Sequence, residues 1–599
     1  MADFICREYI MYWNHVSEKG GDRMNRNIVV NIGEQRFYKL REQNSLYIDK
    51  TEFIREWWET GATSTLITRP WRFGKTLNMN MLECFFSNEY AGRSDLFEGL
   101  SIWENGSQEE REKYRQLQGT YPVISLSFAE IKAAKYDEMT YKIKRVIADL
   151  YEKNNYLLKE ILFSENEKEY YKNVSAKMKD EDVADTVRSM ANFMKRHFDK
   201  DVIILLDEYD TPMQEAWLNG YWEQAVQFFR GLLGSTFKTN PYLQKGIITG
   251  ITRISRESIF SDLNNLEVIT TTSNHYATAF GFTEEEVFAA LDATGLGSEK
   301  QEVKRWYDGF TFGSCTDIYN PWSITSFIRN GGKYGAYWTN TSGNGLVNAL
   351  VQRGDADVKQ SMEELLQGKS ITARIDEQIV FHQLDGNMNA VWSLLLATGY
   401  LKVLDTRPAS DSVDDLCNIV YTLILTNFEV KQMFYNMIKD WFKSNVSSSY
   451  NAFIKALLIN DVDAMNEYMN KVAMNSFSNF DTAKSASDDD APERFYHGFV
   501  LGLMVELADR YQITSNRESG FGRYDIMLKP SDKEKDCAYI IEFKVHKPKK
   551  EKSLEETVAN ALSQIEEKQY ETALIAEGFA PGRIRKYGFA FKGKECLIG

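Results

Sequence analysis

Apolar positions in the first half of this chain gather into short strand-like stretches, one of them continuous, separated by stretches with a three-to-four-residue period. The strand-like ones are the apolar lead-in of Ser64–Leu77 (STLITRPWRFGKTL), then Pro122–Phe128 (PVISLSF), Asp201–Asp210 (DVIILLDEYD) and Leu243–Ile251 (LQKGIITGI). The continuity of Asp201–Asp210 predicts a buried strand of a mostly parallel sheet, and the others are strand candidates beside it. The periodic stretches predict helices: Leu77, Met81, Leu82 and Phe85 after the first run, then Ile131–Asn154, Thr186–Phe198 and Trp217–Leu233. Strand and helix in alternation predict an α/β domain. Before it, Ile28–Val30 and Leu46–Ile48 read as short strands, Phe37–Glu42 as a helix, and a further helix opens at Asp49 or Thr51.

From Thr283 the pattern turns helical, at Glu284–Leu291, Glu299–Tyr307 and Ser323–Asn330, with turns at Asp308-Gly309-Phe310 and Tyr319-Asn320-Pro321. Val391–Thr398, Val430–Lys443 and Tyr450–Met465 continue it, with strands at Leu401–Leu404 and Ile419–Leu425. Ser476–Pro492 has few large apolar groups and an Asp run, which marks a linker. A small module follows: a helix Arg494–Leu507, an extended stretch Tyr511–Ser515, strands Arg523–Leu528 and Cys537–Phe543, and a helix Leu554–Tyr570.

The first run leads into Arg69-Pro70-Trp71-Arg72-Phe73-Gly74-Lys75-Thr76. A strand, a tight turn and a helix place backbone N–H groups around a phosphate, and Arg72 and Gly74 belong to that turn. Lys75 then reaches the outer phosphates and Thr76 takes a place on Mg²⁺. Arg69 stands where the usual phosphate-loop pattern has its first glycine. Asp207 and Glu208 close a later strand, where Asp207 can hold Mg²⁺ and Glu208 can orient or deprotonate the attacking water. Thr249 ends the next strand and can contact the γ-phosphate or its water; Arg253 or Arg256 can neutralise developing charge. The polar segment Ser87–Gln118 reads as a cap on the site or an insertion into it.

In the terminal module, Asp525 and Glu542 lie on adjoining strands and Lys544 shares a side with Glu542. Two carboxylates that hold Mg²⁺ and a lysine that steadies charge suit metal-assisted phosphodiester hydrolysis. Gln564 and Tyr570 flank the sheet in support. His497 reads first as a hydrogen-bonded packing residue.

The chain has 599 residues, enough for two to four domains. Its 71 basic and 86 acidic residues give a net charge of −15, so nucleic-acid contact has to be a local basic patch. Six scattered cysteines and six histidines form no zinc or disulfide pattern. No basic-then-apolar leader opens the chain, and no apolar run is long enough to span a bilayer, so a cytoplasmic location is expected.

Further motifs accompany these: Ile32-Gly33 with Phe37 and Arg41, Tyr47-Ile48-Asp49-Lys50-Thr51, Leu206–Asp210, Thr249–Ser255, Trp306–Phe310, Leu394–Tyr400, Ser515–Gly520, Gly522–Asp525, Glu542-Phe543-Lys544 and Gln564 with Tyr570. With them the chain resembles the bacterial AAA-ATPase-like proteins that end in a PD-(D/E)XK nuclease-superfamily domain. The resemblance implies an AAA-like P-loop NTPase domain over 1–282, a mainly helical lid or connecting region over 283–475, a flexible acidic linker over 476–492, and a restriction-endonuclease-like α/β domain over 493–599. It implies ATP and Mg²⁺ as ligands and DNA as the polymer partner, with RNA and a homo-oligomer both compatible. It also implies a third nuclease acid, for which Glu506, Glu493 and Glu518 are candidates. The rival expectation is an ATP-driven switch or scaffold whose tail binds nucleic acid or protein without cutting it.

Overall fold

The computed structural model describes residues 29–599 except 160–162, 239, 254–264, 339–346, 348–349, 352–355, 367, 377–387, 409–418, 442–449, 477–499, 501–503, 505–506, 508–509, 520–521, 549 and 593–594. The Ser476–Pro492 linker, His497, Arg256, Glu493 and Glu506 fall outside the described residues, Ser476 excepted. Packing divides the chain into two compact units: Met1–Arg353 with Ser370–Val430, and Gly354–Lys369 with Lys431–Gly599.

The four apolar runs form β1 (Ser64–Thr68), β2 (Val123–Ser127), β3 (Val202–Asp207) and β4 (Leu243–Gly250); a fifth strand, β5 (Leu266–Ile269), joins them. Their order is β2-β3-β4-β1-β5 and every pairing is parallel. β4 therefore lies between β1 and β3, and the loops leaving all three open at one edge. Leu206 pairs with Ile248 and Ile67 with Thr249, which sets Thr249 between the ends of the flanking strands. The core beneath includes Ile204, Leu206, Met190 and Phe229, all buried.

Several expected elements differ. Val29, Val30 and Leu46–Ile48 form no strand; a single bond from Leu46 N to Val29 O (2.9 Å) joins them. The stretch Trp217–Leu233 is two helices, Thr211–Leu218 and Trp222–Leu233, parted at Gly220, whose φ of 79° a helix does not accept. Ser87–Gln118 lines no part of the loop cavity described below. It buries Leu96, Phe97 and Ile102 and is pinned by Ser101 N donating to Asp49 Oδ2 (2.6 Å). The Asp49-Lys50-Thr51 motif is thus an anchor: Asp49 also accepts from Thr51, and Lys50 donates to Glu286 (2.7 Å).

The helical region of the first unit contains Glu284–Ala293, Lys300–Tyr307 and Pro321–Arg329, packed around Val287, Tyr307 and Phe327. It also carries small strands: β6 (Phe282–Thr283), β7 (Phe310–Phe312) and β8 (Cys315–Tyr319), ordered β6-β8-β7, and β9 (Ile371–Ala373), β10 (Leu401–Pro408) and β11 (Ile419–Leu425), ordered β10-β11-β9. Phe310 therefore opens a strand instead of closing a turn.

The second unit has a mixed five-stranded sheet of β12 (Tyr511–Ser519), β13 (Gly522–Pro530), β14 (Ala538–Val545), β15 (Ile584–Lys592) and β16 (Glu595–Ile598), in that order. β13 and β14 are antiparallel, whereas β14 and β15 are parallel. Alternate residues of β14 meet two cores. Tyr539, Ile541 and Phe543 face Phe453, Leu457 and Met469, while Ala538 and Ile540 pack with Ile565 and Leu574. The expected helix Tyr450–Met465 breaks at Asn460 (φ 64°) into Tyr450–Ile459 and Val462–Ser476. The last long helix, Leu554–Glu567, stops before Tyr570.

Candidate functional sites

The first site lies at the open edge of the parallel sheet. β1 ends at Thr68, and the chain turns through Arg69–Gly74 into the helix Lys75–Phe86. Gly74 caps that helix at φ 81°, a left-handed conformation that a side chain strains at a cost of about 1–2 kcal/mol. Arg72 adopts a similar φ of 66° and stacks its guanidinium 3.9 Å from the Trp322 ring centre. Arg69 replaces a glycine's flexibility with an anchor. It is fully buried, donates to Thr68 O (3.0 Å) and Thr270 O (2.6 Å), and lies over the Phe312 ring at 4.5 Å. Burial pushes its guanidinium down to about 9.

Lys75 is buried, and its Nζ donates to the loop carbonyls of Arg69 (3.0 Å) and Pro70 (2.9 Å). Burial lowers its pKa; Glu208, Asp207 and Asp210 pull in the opposite sense. Thr76 Oγ1 donates to Asp207 Oδ2 at 2.7 Å, and Thr249 Oγ1 donates to the other oxygen of the same carboxylate. Burial, then the charge of Glu208, raises the Asp207 pKa against those two hydroxyl donors and Lys75. Glu208 has φ 51°, donates its N–H to Thr249 Oγ1 (3.3 Å) and accepts from Thr211 Oγ1 (3.2 Å). A cavity of about 510 Å³ is lined by Arg72, Gly74, Lys75, Thr76, Glu208 and Trp322, among others.

The structure thus brings Arg72, Gly74, Lys75, Thr76, Asp207, Glu208 and Thr249 together. Arg253 is elsewhere, lining a small separate cavity with Thr68, Thr270 and Leu396. Asp210, assigned no role by the sequence, is fully buried and ties the loop after β4 by accepting from Ile251 N (3.0 Å) and Thr252 N (2.9 Å). Trp71 gives its carbonyl to Asn320 Nδ2 (3.2 Å) and Trp338 Nε1 (2.9 Å). Nothing local in the sequence links these residues across some 250 positions. Paired hydroxyl and carboxylate oxygens next to a buried lysine and a left-handed glycine could hold a phosphate group and a divalent cation.

Farther along the first unit, Glu284, Asp308 and Asp317 bring one oxygen each within 4.8 Å of one another. Lys304 sits among them, 3.0 Å from Asp317 and 3.9 Å from Asp308, and also contacts Glu284. Burial, then the Asp317 charge, pushes Asp308 up to about 7.

The second site is on β13 and β14. Asp525 Oδ2 accepts from Phe543 N (2.7 Å), which seats that carboxylate between the two strands beside Glu542. Glu542 is only 2% exposed, and its Oε1 accepts from Gln564 Nε2 and lies 3.6 Å from Lys544 Nζ. Gln564 also bonds Tyr570 Oη (3.1 Å), so both residues expected to support the site do reach it. Burial raises the Tyr570 pKa, as do the charges of Glu542 and Asp525. Among the described residues no group of three acids within 4.8 Å of one another includes Asp525 or Glu542. The Glu518 side chain, like Glu493 and Glu506, is outside the described residues. Two carboxylates flanked by a lysine fit a divalent cation, with its remaining positions left to water and phosphate.

Beyond Lys544, Glu551 organises a lysine-rich turn that sequence reasoning passed over. It accepts from Lys547 N (2.9 Å), Thr557 Oγ1 (2.8 Å) and Asn560 Nδ2 (2.9 Å), leaving Lys547, Lys550 and Lys552 exposed. His546 is buried against Thr557 (3.0 Å).

Comparison with known proteins finds two family matches: residues 31–260 match a family described as "Predicted AAA-ATPase", and residues 491–599 match the PD-(D/E)XK nuclease superfamily. The chain is also 26% identical over 325 residues to an "Uncharacterized protein in vnfD 5'region" of Azotobacter chroococcum mcd 1. That match covers 54% of this chain and 56% of the relative's length. No helix among the described residues is long and apolar enough to cross a membrane.

Proposed function

Starting from a chain that carries an N-terminal AAA-ATPase-like domain and a C-terminal PD-(D/E)XK nuclease-superfamily domain, we propose that it hydrolyses ATP in the first unit and uses the second to cut DNA with Mg²⁺. The observation that carries the first half is the Thr76–Asp207 pair at 2.7 Å, set beside the buried Lys75 at the open edge of the sheet. On nucleotide binding, Lys75 exchanges the Arg69 and Pro70 carbonyls for phosphate oxygens. Thr76 and Asp207 hold Mg²⁺, which neutralises charge on the phosphate oxygens. Glu208, facing the cavity, orients the attacking water, and Thr249 fixes the Glu208 backbone and the Asp207 carboxylate together.

In the second unit, Asp525 and Glu542 hold the metal, and Lys544 steadies the charge that develops on the scissile phosphate. Gln564 orients Glu542. The exposed Lys547, Lys550 and Lys552 supply a local basic patch on a chain whose net charge is −15. DNA is the favoured polymer, and the setting is the cytoplasm. Assays of ATP turnover and Mg²⁺-dependent nicking on wild type, Lys75→Ala and Glu542→Gln test the reading. Loss of turnover in the first variant and of nicking in the second supports it; wild type inactive in both assays refutes it.

One observation favours a second reading, a switch that binds nucleic acid without cleaving it. Asp525 and Glu542 already accept bonds from Phe543 N and Gln564. Mg²⁺-independent DNA binding without nicking, in a protein that still turns over ATP, selects that reading.

A further inference from the structure

The phosphate loop presents three successive carbonyls, those of Arg69, Pro70 and Trp71, and the donors that hold them differ in kind. Lys75 holds the first two. On the reading above, it must release both when phosphate arrives. The third is held from outside the loop, by Asn320 Nδ2 at 3.2 Å and Trp338 Nε1 at 2.9 Å. The segments that carry those two donors are both tied to one buried acid. Glu429 is 0% exposed; its Oε1 accepts from Trp338 N at 2.6 Å and its Oε2 from Ser323 Oγ at 2.7 Å. Ser323 belongs to the helix that Asn320 caps, with Asn320 Oδ1 accepting from Trp322 N (2.9 Å) and Ser323 N (3.2 Å). The same helix carries Trp322, on which Arg72 stacks.

In a trans peptide the C=O and the next N–H point in opposite directions. Two donors on the Trp71 carbonyl therefore also fix the direction of the Arg72 N–H. Arg72 lies in the turn lining the cavity, two residues before Gly74. A buried carboxylate is costly to desolvate unless well bonded, so Glu429 at a bare packing position would be a poor choice. Its two oxygens instead join the two elements that grip one loop carbonyl.

We propose that Glu429 is a positioning residue for nucleotide binding: acting through Trp338 and Asn320, it presets the Trp71–Arg72 peptide so that the Arg72 N–H meets a phosphate oxygen. The clamp keeps the loop in shape while Lys75 changes partners. This inference rests on the phosphate-loop reading of Lys75. It places a determinant of ATP affinity more than 350 positions downstream of the loop, in a residue that touches no nucleotide.

The test is equilibrium binding of ATP and of inorganic tripolyphosphate to the full chain, with melting temperature measured alongside. Charge alone predicts that Glu429→Gln, which removes a negative charge from an anion-binding unit, tightens both ligands. The clamp predicts that it weakens both by about five- to tenfold, the worth of one or two hydrogen bonds. Trp338→Phe keeps an aromatic ring against Phe310 and Tyr400 but removes the Nε1 donor, and is expected to weaken both ligands by a similar factor. Unchanged or tighter binding in both variants, with Lys75→Ala abolishing it, overturns the clamp and leaves the phosphate loop standing. A lower melting temperature with unaltered affinity also overturns it, by making Glu429 purely structural. Wild type that binds neither ligand overturns the clamp and the phosphate loop together.

Discussion

Both sites place an acid on a buried strand, yet they complete themselves in different ways. In the first unit Asp207 ends a central parallel strand, and the neighbouring strand and loop bring Thr249 and Thr76 to its two oxygens. Parallel topology makes strand ends converge at one edge, so residues far apart in sequence meet without special side chains. In the second unit Glu542 lies within β14, and its surroundings come from an antiparallel neighbour and a crossing helix. An antiparallel pair delivers only one more acid, Asp525, and further ligands must come from another element. The first site is thus assembled by topology, the second by recruitment.

The largest expected effect separates the two directly. Glu542→Gln should lower Mg²⁺-dependent DNA cleavage by at least about a thousandfold, since several kcal/mol of metal-borne charge stabilisation depend on it, while ATP affinity stays within about twofold. Lys75→Ala should do the reverse, weakening ATP by about a hundredfold through the loss of charge-assisted bonds, as read by calorimetric titration. Equal damage to both activities from either variant would show that the two sites are not independent binding centres.

A smaller effect sharpens the recruitment side. Replacing Lys547, Lys550 and Lys552 by alanine should make the dependence of log affinity on log salt shallower by about 2.7, at about 0.9 per phosphate contact, for DNA binding measured without Mg²⁺. An unchanged slope would remove the turn from the nucleic-acid surface.

The smallest effect concerns the acids around Lys304 in the first unit. Asp308 is raised to about 7 in the folded chain against 3.8 in the unperturbed group. The folded state therefore binds this proton more tightly than the unfolded state, and its stabilising contribution is lost as pH rises from about 4 to about 7. Asp308→Asn should relieve about 1–3 kcal/mol at pH 8 and almost nothing at pH 4, seen as a melting-temperature gain confined to the higher pH. An equal gain at both values would assign the effect to packing.

The same contrast explains what the sequence made legible. All four strand candidates of the first half lie in the parallel sheet, and Val202–Leu206 shows the unbroken apolar signature that burial on both faces writes. Gly74-Lys75-Thr76 and Asp207-Glu208 stand out in the sequence because each follows or closes a strand, and the structure brings Thr76 to Asp207. β5 was missed: Leu266–Ile269 is four residues long, too short to stand out from its surroundings. β7 and β8 were missed because Gly309 and Gly313 punctuate them like turns. The paired helices at Trp217–Leu233 and Tyr450–Met465 looked continuous because their apolar period runs through Gly220 and Asn460, whose positive φ values break them. Arg69, Asp210 and Asn320 could be placed by their neighbours but not given these partners, and Trp338 and Glu429 had no local signal at all. Each works by bonding backbone across long separations, and sequence spacing carries no trace of that.

The central claim is that Thr76 and Asp207 form the Mg²⁺ seat of a nucleotide site. The most direct measurement is ATP affinity with and without Mg²⁺ in wild type and Asp207→Asn. The account predicts that Mg²⁺ tightens ATP by about tenfold or more in wild type and leaves it unchanged in the variant, whose metal-free affinity stays near that of wild type. An equal Mg²⁺ effect in both proteins would contradict it.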